Sequence, residues 1–170
     1  MKNIEFRKAK IEDAPEIWKI LEAAILRRKV DGSLQWQNGY PNLATVQEDI
    51  INKKGYILHL NNEIIAYSAI SKNDEPAYEK IDGKWLSNGE YFVIHRIAVA
   101  EKFLKQGFAK KIIVETEQFA IQQNIFSVKI DTNFDNFAML KICEDLAYQY
   151  CGIVMMNGSE RKAFEKILKI

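Results

Sequence analysis

A short loop that carries a glycine and opens an amphipathic helix is the part of this sequence that points most directly to chemistry. Gly107 lets the backbone approach a ligand closely, and Ala109 has too small a side chain to block it. The first turn of a helix has four N–H groups without intrahelical partners and a partial positive charge, so a phosphate is stabilised there. Four lysines add positive charge nearby: Lys102, Lys105, Lys110 and Lys111.

This pattern predicts an anion-binding loop. The alternative is that Gly107 only makes a turn and that the lysines form a solvated face. No Gly-Lys-Ser/Thr follows the glycine, as a Walker A sequence requires, and the three glycines of the dinucleotide fingerprint are absent. An anion would therefore be held mainly by main-chain N–H groups.

His95 is the titratable residue best suited to act as a base, because imidazole exchanges protons near neutral pH. Strand alternation places it on one face with Val93 and Ile97, which is either the ligand face or the core face. The alternative is a histidine that only hydrogen-bonds inside the sheet. Three other residues are secondary candidates or structural groups: Glu90 and Asp131 at strand ends, and His59.

Hydrophobic spacing predicts the elements that position these residues. Residues 91–100 form a near-continuous apolar run, which is typical of an interior strand covered on both faces. The helix that begins near Gly107 has one apolar stripe, which is expected to dock on the sheet. The members of that stripe are Phe108, Ile112, Ile113, Thr116, Phe119 and Ala120.

The residues before this unit are predicted to form a strand, two helices and a hairpin. Residues 3–8 alternate as a strand does, and Asp13-Ala14-Pro15 starts a helix that runs to about Lys29. Thr45-x-x-Glu48 is a capping box for a short second helix. Asn61-Asn62 joins two strands, because asparagine tolerates positive φ.

Residues 72–90 are predicted to be a long loop or extended hairpin that carries Trp85. After the central helix come a strand over 126–131, a helix over 136–146 with Asp135 as its cap, and a strand over 148–156. Asn157-Gly158 is a strong hairpin signal. It favours a strand over residues 161–168, where the pattern alone also fits a short helix.

The predicted order is β-α-α-β-β-β-α-β-α-β-β, which indicates a mixed α/β sheet. No repeat or linker divides the chain, so one domain over residues 1–170 is expected. Composition is that of a globular protein, with 48% hydrophobic and 28% charged residues. The net charge of +1 offers no electrostatic footprint for nucleic acid or an anionic membrane.

The sequence also favours a cytoplasmic protein. Its N-terminus, MKNIEFRKAK, lacks an apolar signal region, and no apolar run approaches the roughly 18 residues of a spanning helix. Cys143 and Cys151 have no zinc spacing, so no metal site is predicted and both are expected to be reduced thiols.

The strand, loop and helix resemble the acetyl-CoA-binding core of the GNAT superfamily of N-acetyltransferases, whose loop has the pattern Gln/Arg-x-x-Gly-x-Gly/Ala. The matching hexad is Leu104-Lys105-Gln106-Gly107-Phe108-Ala109. Its Gly-x-Ala half fits, and Leu104 replaces the leading Gln/Arg. The predicted order of elements is similar to the GNAT fold throughout, which implies a mixed, mostly antiparallel sheet flanked by helices.

A second segment, Asn136 through Tyr148, resembles the family pattern Asn-x-x-Ala-x-x-Leu-Tyr-x-x-x-Gly-Phe. Asn136 matches, Ala147 stands for the glycine, and Cys143 occupies the place of the tyrosine. The resemblance implies that Cys143 is the acid that protonates the departing thiolate. The alternatives are a small buried hydrophobe at that position, or substitution by Tyr148 or Tyr150.

The resemblance implies acetyl transfer from acetyl-CoA to an amine without a covalent enzyme intermediate. Such a transfer needs a base, and His95 is the candidate that its own chemistry suggests. The backbone around Ile97, Ala98 and Val99 would line the pantetheine arm, and Asn136 would hydrogen-bond it. The pyrophosphate would be held by the loop and first helical turn: Lys105, Gln106, Gly107, Phe108, Ala109 and Lys110.

The acceptor is expected to be a small-molecule or peptide amine. By analogy its site lies near the aromatic loop after the first helix, which directs attention to Trp36, Gln37 and Tyr40, although these side chains could instead seal the core. A non-catalytic acyl-CoA-binding or sensing module is the alternative function, and a nucleotide-binding regulator is a third. A homodimer is possible through sheet edges.

Overall fold

The elements follow nearly the predicted order in this computed structural model, which describes residues 3–169. Residues 1, 2 and 170, the ends of the predicted domain, lie outside the described part. The strands are β1 (Glu5–Lys8), β2 (Gly55–Leu60), β3 (Glu63–Lys72), β4 (Asp82–Gly83), β5 (Phe92–Val99), β6 (Ser127–Thr132), β7 (Gln149–Met156) and β8 (Ser159–Ile167). The α-helices are α1 (Ala14–Val30), α2 (Leu43–Ile51), α3 (Phe108–Gln122) and α4 (Phe137–Asp145).

Strand order confirms the mixed, mostly antiparallel sheet. The order is β1-β2-β3-β5-β6-β8-β7-β4. The ladder between β5 and β6 is parallel, whereas β6–β8 and β7–β8 are antiparallel. The strand predicted over residues 161–168 is confirmed as β8, which the hairpin at Asn157-Gly158 returns to lie between β6 and β7.

The chain divides into two compact units, each with its own apolar core. The first holds the described residues up to Ile70 together with Arg96–Glu115, and the second holds Ser71–His95 and the described residues from Thr116 onward. Strand β5 therefore supplies Phe92–His95 to the second unit and Arg96–Val99 to the first.

The core of the first unit explains why residues 14–30 form a helix. Its buried positions recur at helical spacing and pack against Ile57 and Tyr67 of the neighbouring strands and Val46 of α2. Each fully buried Ile or Leu contributes about 1.5–3 kcal/mol relative to an exposed one. The buried positions of α1 are Ala14, Ile17, Ile20, Leu21 and Ala24.

Two predicted helix caps are wrong by one to three residues. Helix α2 is capped by Asn42, whose side chain accepts from Thr45 N at 3.0 Å, so Thr45 is the third helical residue and not the cap. Helix α4 is capped by Asn136 and not by Asp135, because Asn136 Oδ1 accepts from Met139 N at 3.2 Å. Asparagine, aspartate and threonine all cap well, so residue type alone does not choose between close candidates.

The stripe predicted for α3 is confirmed. Ile112, Ile113, Thr116 and Ala120 are buried, and Phe108 and Phe119 are half-buried. Of the polar positions predicted to lie off this stripe, Gln118 and Gln122 are exposed. Glu117 is instead buried, where its carboxylate accepts from Tyr148 and Lys166.

The segment predicted as a long loop contains more structure than expected. Residues Pro76–Lys80 form a 3-10 helix, and the two-residue strand β4 pairs with β7. Gly83 and Gly152 face each other at φ +143° and +144°, and a Cβ on Gly83 would lie 2.1 Å from the Cys151 carbonyl oxygen. This close approach needs two glycines that are far apart in the sequence.

Candidate functional site

The predicted anion loop lies in the first unit and is open to solvent. After a 3-10 turn at Glu101–Phe103, the chain passes through positive φ at Lys105 (60°) and Gly107 (84°) before α3 begins. Lys105, Gln106 and Gly107 are exposed, and a Cβ on Gly107 would meet no atom within 4 Å. The helix end is therefore accessible to a ligand.

Main-chain N–H groups at the start of α3 are oriented as an anion site needs. The helical ladder starts where Lys111 N donates to Gly107 O at 2.9 Å. The N–H groups of Phe108 and Ala109 precede that bond and have no acceptor within the helix. With the positive end of the helix dipole, they favour a phosphate group.

Side-chain contacts fix the loop and reduce the lysine charge around it. Leu104 packs on the apolar cluster of the first unit, so the side chain that replaces the family's Gln/Arg anchors the loop from inside. Lys102 pairs with Glu63, and Lys111 Nζ lies 2.9 Å from a Glu115 oxygen. Carboxylates thus partly neutralise two of the four predicted lysines, whereas Lys105 is exposed beside the helix end.

Strand β5 extends beyond its parallel pairing with β6 in the described part of the chain. Its parallel ladder with β6 contains the pairs Phe92–Val128 and Val93–Lys129, although β5 continues to Val99. Arg96 has φ +53° inside the strand, as a bulge does. Because this residue interrupts the alternation of side chains along β5, spacing alone does not show whether His95 and Ile97 lie on the same face. Strand alternation had predicted that they do.

The three strand residues predicted to line the pantetheine arm follow this bulge. Ala98 and Val99 are buried and Ile97 is half-buried. One carbonyl is already used, because Val99 O accepts from Arg27 Nη2 at 3.3 Å. Their N–H groups as ligand contacts stay a prediction.

A buried ion pair holds the bulge in the first unit. Arg96 donates to both oxygens of Asp49, with Nε to Oδ2 at 3.0 Å and Nη2 to Oδ1 at 2.5 Å. Tyr67 hydrogen-bonds the same carboxylate. Burial lowers the pKa of Arg96, but Asp49, Tyr40 and Tyr67 together raise it above its ordinary value, so the guanidinium remains charged. Burial, then the Asp49 charge, raises the pKa of Tyr67.

The residues predicted for the acceptor site have different surroundings. Trp36 packs against the core of the first unit, and Gln37 Nε2 donates to the Ile25 carbonyl at 2.9 Å, so both stabilise the loop. Tyr40 is 37% exposed, and its hydroxyl accepts from Arg96 Nη1 at 2.6 Å. Tyr40 is the residue of the three whose surface is open to a ligand.

His95 lies in the second unit between two carboxylates. Its Nε2 is 3.0 Å from Glu75 Oε2, and its Nδ1 is 3.8 Å from Asp131 Oδ2. Tyr78 donates to Asp131 Oδ2 at 2.7 Å. Burial raises the pKa of Glu75, but the His95 contact and the Ala77 N–H lower it by more, so it lies below its ordinary value.

Sequence analysis missed Glu75 and Tyr78 because they lie in the segment predicted as a loop, where nothing local marks a partner. A lowered carboxylate pKa stabilises the fold at neutral pH, and this contribution is lost as the pH falls through the lowered value.

Of the other candidates, Glu90 is an exposed partner of Lys72 at 2.7 Å, and Trp85 packs in the core with Nε1 donating to Tyr78 O at 2.9 Å.

The predicted acid and its substitutes also lie in the second unit. Cys143 is fully buried, and burial raises the pKa of its thiol to about 12. Tyr148 is buried with its hydroxyl donating to Glu117 at 3.0 Å, whereas Tyr150 is 57% exposed. Asn136 Oδ1 caps α4, so that atom is used inside the chain. The burial of Cys143 favours the alternative of a small buried hydrophobe over the acid role, and Asn136 as a pantetheine contact stays a prediction.

Cys143→Ala is expected to lower stability by about 1–2 kcal/mol and to leave turnover within about twofold of wild type. The first effect follows from a smaller buried side chain, and the second from a thiol with no exposed surface to meet a substrate. Urea unfolding and steady-state kinetics measure the two. A large fall in kcat with normal stability would restore the acid role, and Cys151→Ala, at the other buried free thiol, is the control.

Two general findings limit the classes of site. None of the described helices combines the length and apolarity that a bilayer crossing needs. Within residues 3–169, no group of three or more His, Cys, Asp or Glu side chains could hold a metal ion.

Comparison with known proteins identifies the class. Residues 23–148 match the Acetyltransferase (GNAT) family, and the protein is an acyltransferase. Because the match spans well over half of the chain, the chain belongs to the GNAT acetyltransferase family. Members of this family generally use acetyl-CoA and act on amine acceptors.

Solved structures agree with this family and fold. The chain is 30% identical to a GNAT-family acetyltransferase from Streptococcus agalactiae 2603, with a TM-score of 0.91 over 98% of this chain and 96% of that one. A GNAT-family acetyltransferase from Listeria monocytogenes 4b F2365 shares 19% identity and a TM-score of 0.78, covering 97% and 95% of the two chains.

More distant structures share the fold alone. A ribosomal-protein-alanine N-acetyltransferase from Brucella melitensis is 14% identical, with a TM-score of 0.69 over 96% of this chain and 99% of that one. No curated protein sequence matched the chain.

Proposed function

We propose that this protein transfers the acetyl group of acetyl-CoA to a primary amine of a small molecule or peptide, by direct attack of the amine on the thioester. The observation that carries the proposal is the open N-terminus of α3 after the Gly107 turn, in a chain of the GNAT family. A diphosphate fits this chemistry, because Lys105, Gln106 and Gly107 are exposed there and a helix N-terminus attracts an anion.

Specific residues would hold the co-substrate. The N–H groups from Gln106 to Lys110 and the side chain of Lys105 would bind the pyrophosphate. The backbone of β5 around Ile97, Ala98 and Val99 would hydrogen-bond the amide-containing pantetheine arm, as an added strand would. Asn136 would contribute a further hydrogen bond. Acetyl-CoA would supply the acyl group activated as a thioester.

His95 is proposed to take the proton of the incoming amine. An amine with a lysine-like pKa near ~10.4 is mostly protonated at neutral pH, and freeing its lone pair costs about 4–5 kcal/mol at ~1.4 kcal/mol per pH unit. Main-chain N–H groups after the Arg96 bulge would stabilise the oxyanion. A thiol has a reference pKa near ~8.5, so the thiolate can leave near neutral pH without a dedicated acid.

Replacing His95 with alanine is expected to reduce kcat by about 10²–10⁴-fold, the range of general base catalysis, while acetyl-CoA affinity stays within twofold. Rates from pH 5 to 9 and calorimetry measure the two effects. His59→Ala is the matched control, because His59 is the other histidine of the chain and lies 4.0 Å from Glu5. Wild-type rate and pH profile in His95→Ala would show that another group takes the proton.

Several wider expectations belong to the same proposal. The family match runs through both units, which supports one catalytic domain over residues 1–170. Tyr40, with the neighbouring Trp36, is proposed to border the acceptor amine. A homodimer and a cytoplasmic location stay predictions.

The experiment that tests the function measures thiol release from acetyl-CoA with a panel of polyamines, amino acids and peptides. We expect acetyl-CoA to raise the melting temperature and at least one amine to accelerate thiol release. Stabilisation without turnover across the panel would favour the acyl-CoA-binding module. Stabilisation by ATP or NAD but not by coenzyme A would overturn the assignment.

A further inference from the structure

One nitrogen of the His95 imidazole, Nε2, is buried and makes no regular hydrogen bond. The side chain as a whole keeps 18% of its surface exposed. The exposed surface therefore belongs to other atoms of the side chain. A substrate that reaches His95 would not meet Nε2.

The buried nitrogen faces a carboxylate. Glu75 Oε2 lies 3.0 Å from Nε2, and the Glu75 side chain is 16% exposed. The N–H direction of Nε2 is not aligned for a regular hydrogen bond, so this contact acts mainly through charge. A lone pair on Nε2 would repel the carboxylate oxygen at that distance, whereas a proton on Nε2 is attracted to it.

The other nitrogen, Nδ1, has a weaker contact with a carboxylate than Nε2 has. Nδ1 lies 3.8 Å from Asp131 Oδ2, and that oxygen already accepts the Tyr78 hydroxyl at 2.7 Å. Arg161 Nη1 lies 3.8 Å from the second oxygen of the same carboxylate. Asp131 is thus partly neutralised and further away, so Nδ1 is the nitrogen that can lose its proton at lower cost.

We propose that Glu75 is a positioning residue that keeps the proton of His95 on Nε2, so that Nδ1 carries the lone pair that accepts a proton from the substrate amine. This inference rests on the proposed function for the identity of the substrate. In the step it serves, an ammonium N–H bond breaks and an Nδ1–H bond forms. The amine becomes neutral, and the resulting imidazolium lies between two carboxylates.

The lowered pKa of Glu75 agrees with this arrangement, because it keeps the Glu75 carboxylate negatively charged at the neutral pH at which His95 is proposed to act as the base. The pH response of the pair also depends on the groups around it. Those groups are Asp74, Tyr78, Glu79, Tyr91, Asp131 and Arg161.

Nitrogen-15 NMR of the imidazole rings tests the proposal directly. The chain has two histidines, so the signals are assigned with one His59→Ala variant. We expect the neutral His95 ring of the wild type to be the Nε2–H tautomer and Glu75→Ala to add the Nδ1–H tautomer. Glu79→Ala is the matched control, because Glu79 is an exposed glutamate of the 3-10 helix that Glu75 caps. This variant is expected to show the wild-type tautomer.

Kinetics of the same variants provide the second measurement. We expect Glu75→Ala to lower kcat about tenfold or more, within the roughly 10²–10⁴-fold that a general base supplies, with acetyl-CoA affinity unchanged.

If Glu75→Ala does not fold, Glu75→Gln keeps the size of the side chain and its oxygen for Ala77 N, 3.4 Å away. It should show the same added tautomer, because a neutral amide tolerates either nitrogen. An unchanged Nε2–H tautomer, or wild-type kcat, in the folded variant overturns the proposal. Failure of the wild type to acetylate any amine would instead overturn the proposed function, since the NMR result does not depend on turnover.

Discussion

Gly107→Trp is expected to weaken acetyl-CoA binding at least 100-fold, below detection by calorimetry. The space beside Gly107 is open, so the variant is expected to fold without a steric clash. Its indole would occupy the position from which a phosphate must approach the first turn of α3. Each charge-assisted hydrogen bond contributes about 1.5–3 kcal/mol to binding, so the loss of two such bonds is sufficient for the expected 100-fold loss of affinity. The residue would also be strained at φ +84°, by about 1–2 kcal/mol.

Gly158→Trp separates the two effects. Gly158 has φ +74° and, like Gly107, nothing within 4 Å of a Cβ, but it lies in the hairpin between β7 and β8. It should carry a similar backbone cost and bind acetyl-CoA normally. Circular dichroism confirms folding of both variants. Normal affinity in a folded Gly107→Trp protein would mean that the pyrophosphate binds elsewhere and that the proposed loop is only a turn.

Asp49→Ala is expected to destabilise the protein by about 3–5 kcal/mol, the cost of leaving one partner of a buried ion pair alone. Asp49 is 5% exposed, and its carboxylate accepts two hydrogen bonds from Arg96 and one from Tyr67. The variant would leave a charged guanidinium and a buried hydroxyl without that acceptor. Urea unfolding at neutral pH measures the loss.

An exposed ion pair provides the control. Asp31 is 64% exposed and lies 3.7 Å from Arg28, so Asp31→Ala is expected to cost less than about 1 kcal/mol. The double variant Asp49→Leu with Arg96→Met should recover part of the lost stability, because it leaves no unpaired buried charge. If the free energy of unfolding of Asp49→Ala lies within about 1 kcal/mol of the wild-type value, the ion pair of Asp49 and Arg96 does not hold the strand bulge as inferred.

Local patterns were sufficient for most of the elements and for the anion loop. The stripe of α3 follows from the 3.6-residue period, and the turns at Asn61-Asn62 and Asn157-Gly158 follow from residues that tolerate positive φ. All four of these residues have positive φ in the structure. Gly107 could be located in the same way, because a glycine before an amphipathic helix is a local signal.

The sequence by itself thus determined the order of the strands and helices apart from β4, the apolar stripe of α3 and the loop that precedes it, because each depends on residues within one or two turns of each other. Only the tertiary structure decided that β8 lies between β6 and β7, that Asp49 holds Arg96, that Glu75 faces His95 and that Cys143 is buried. Those contacts join residues far apart in the chain. Their energies depend on which surfaces meet after folding, and no local spacing encodes that choice.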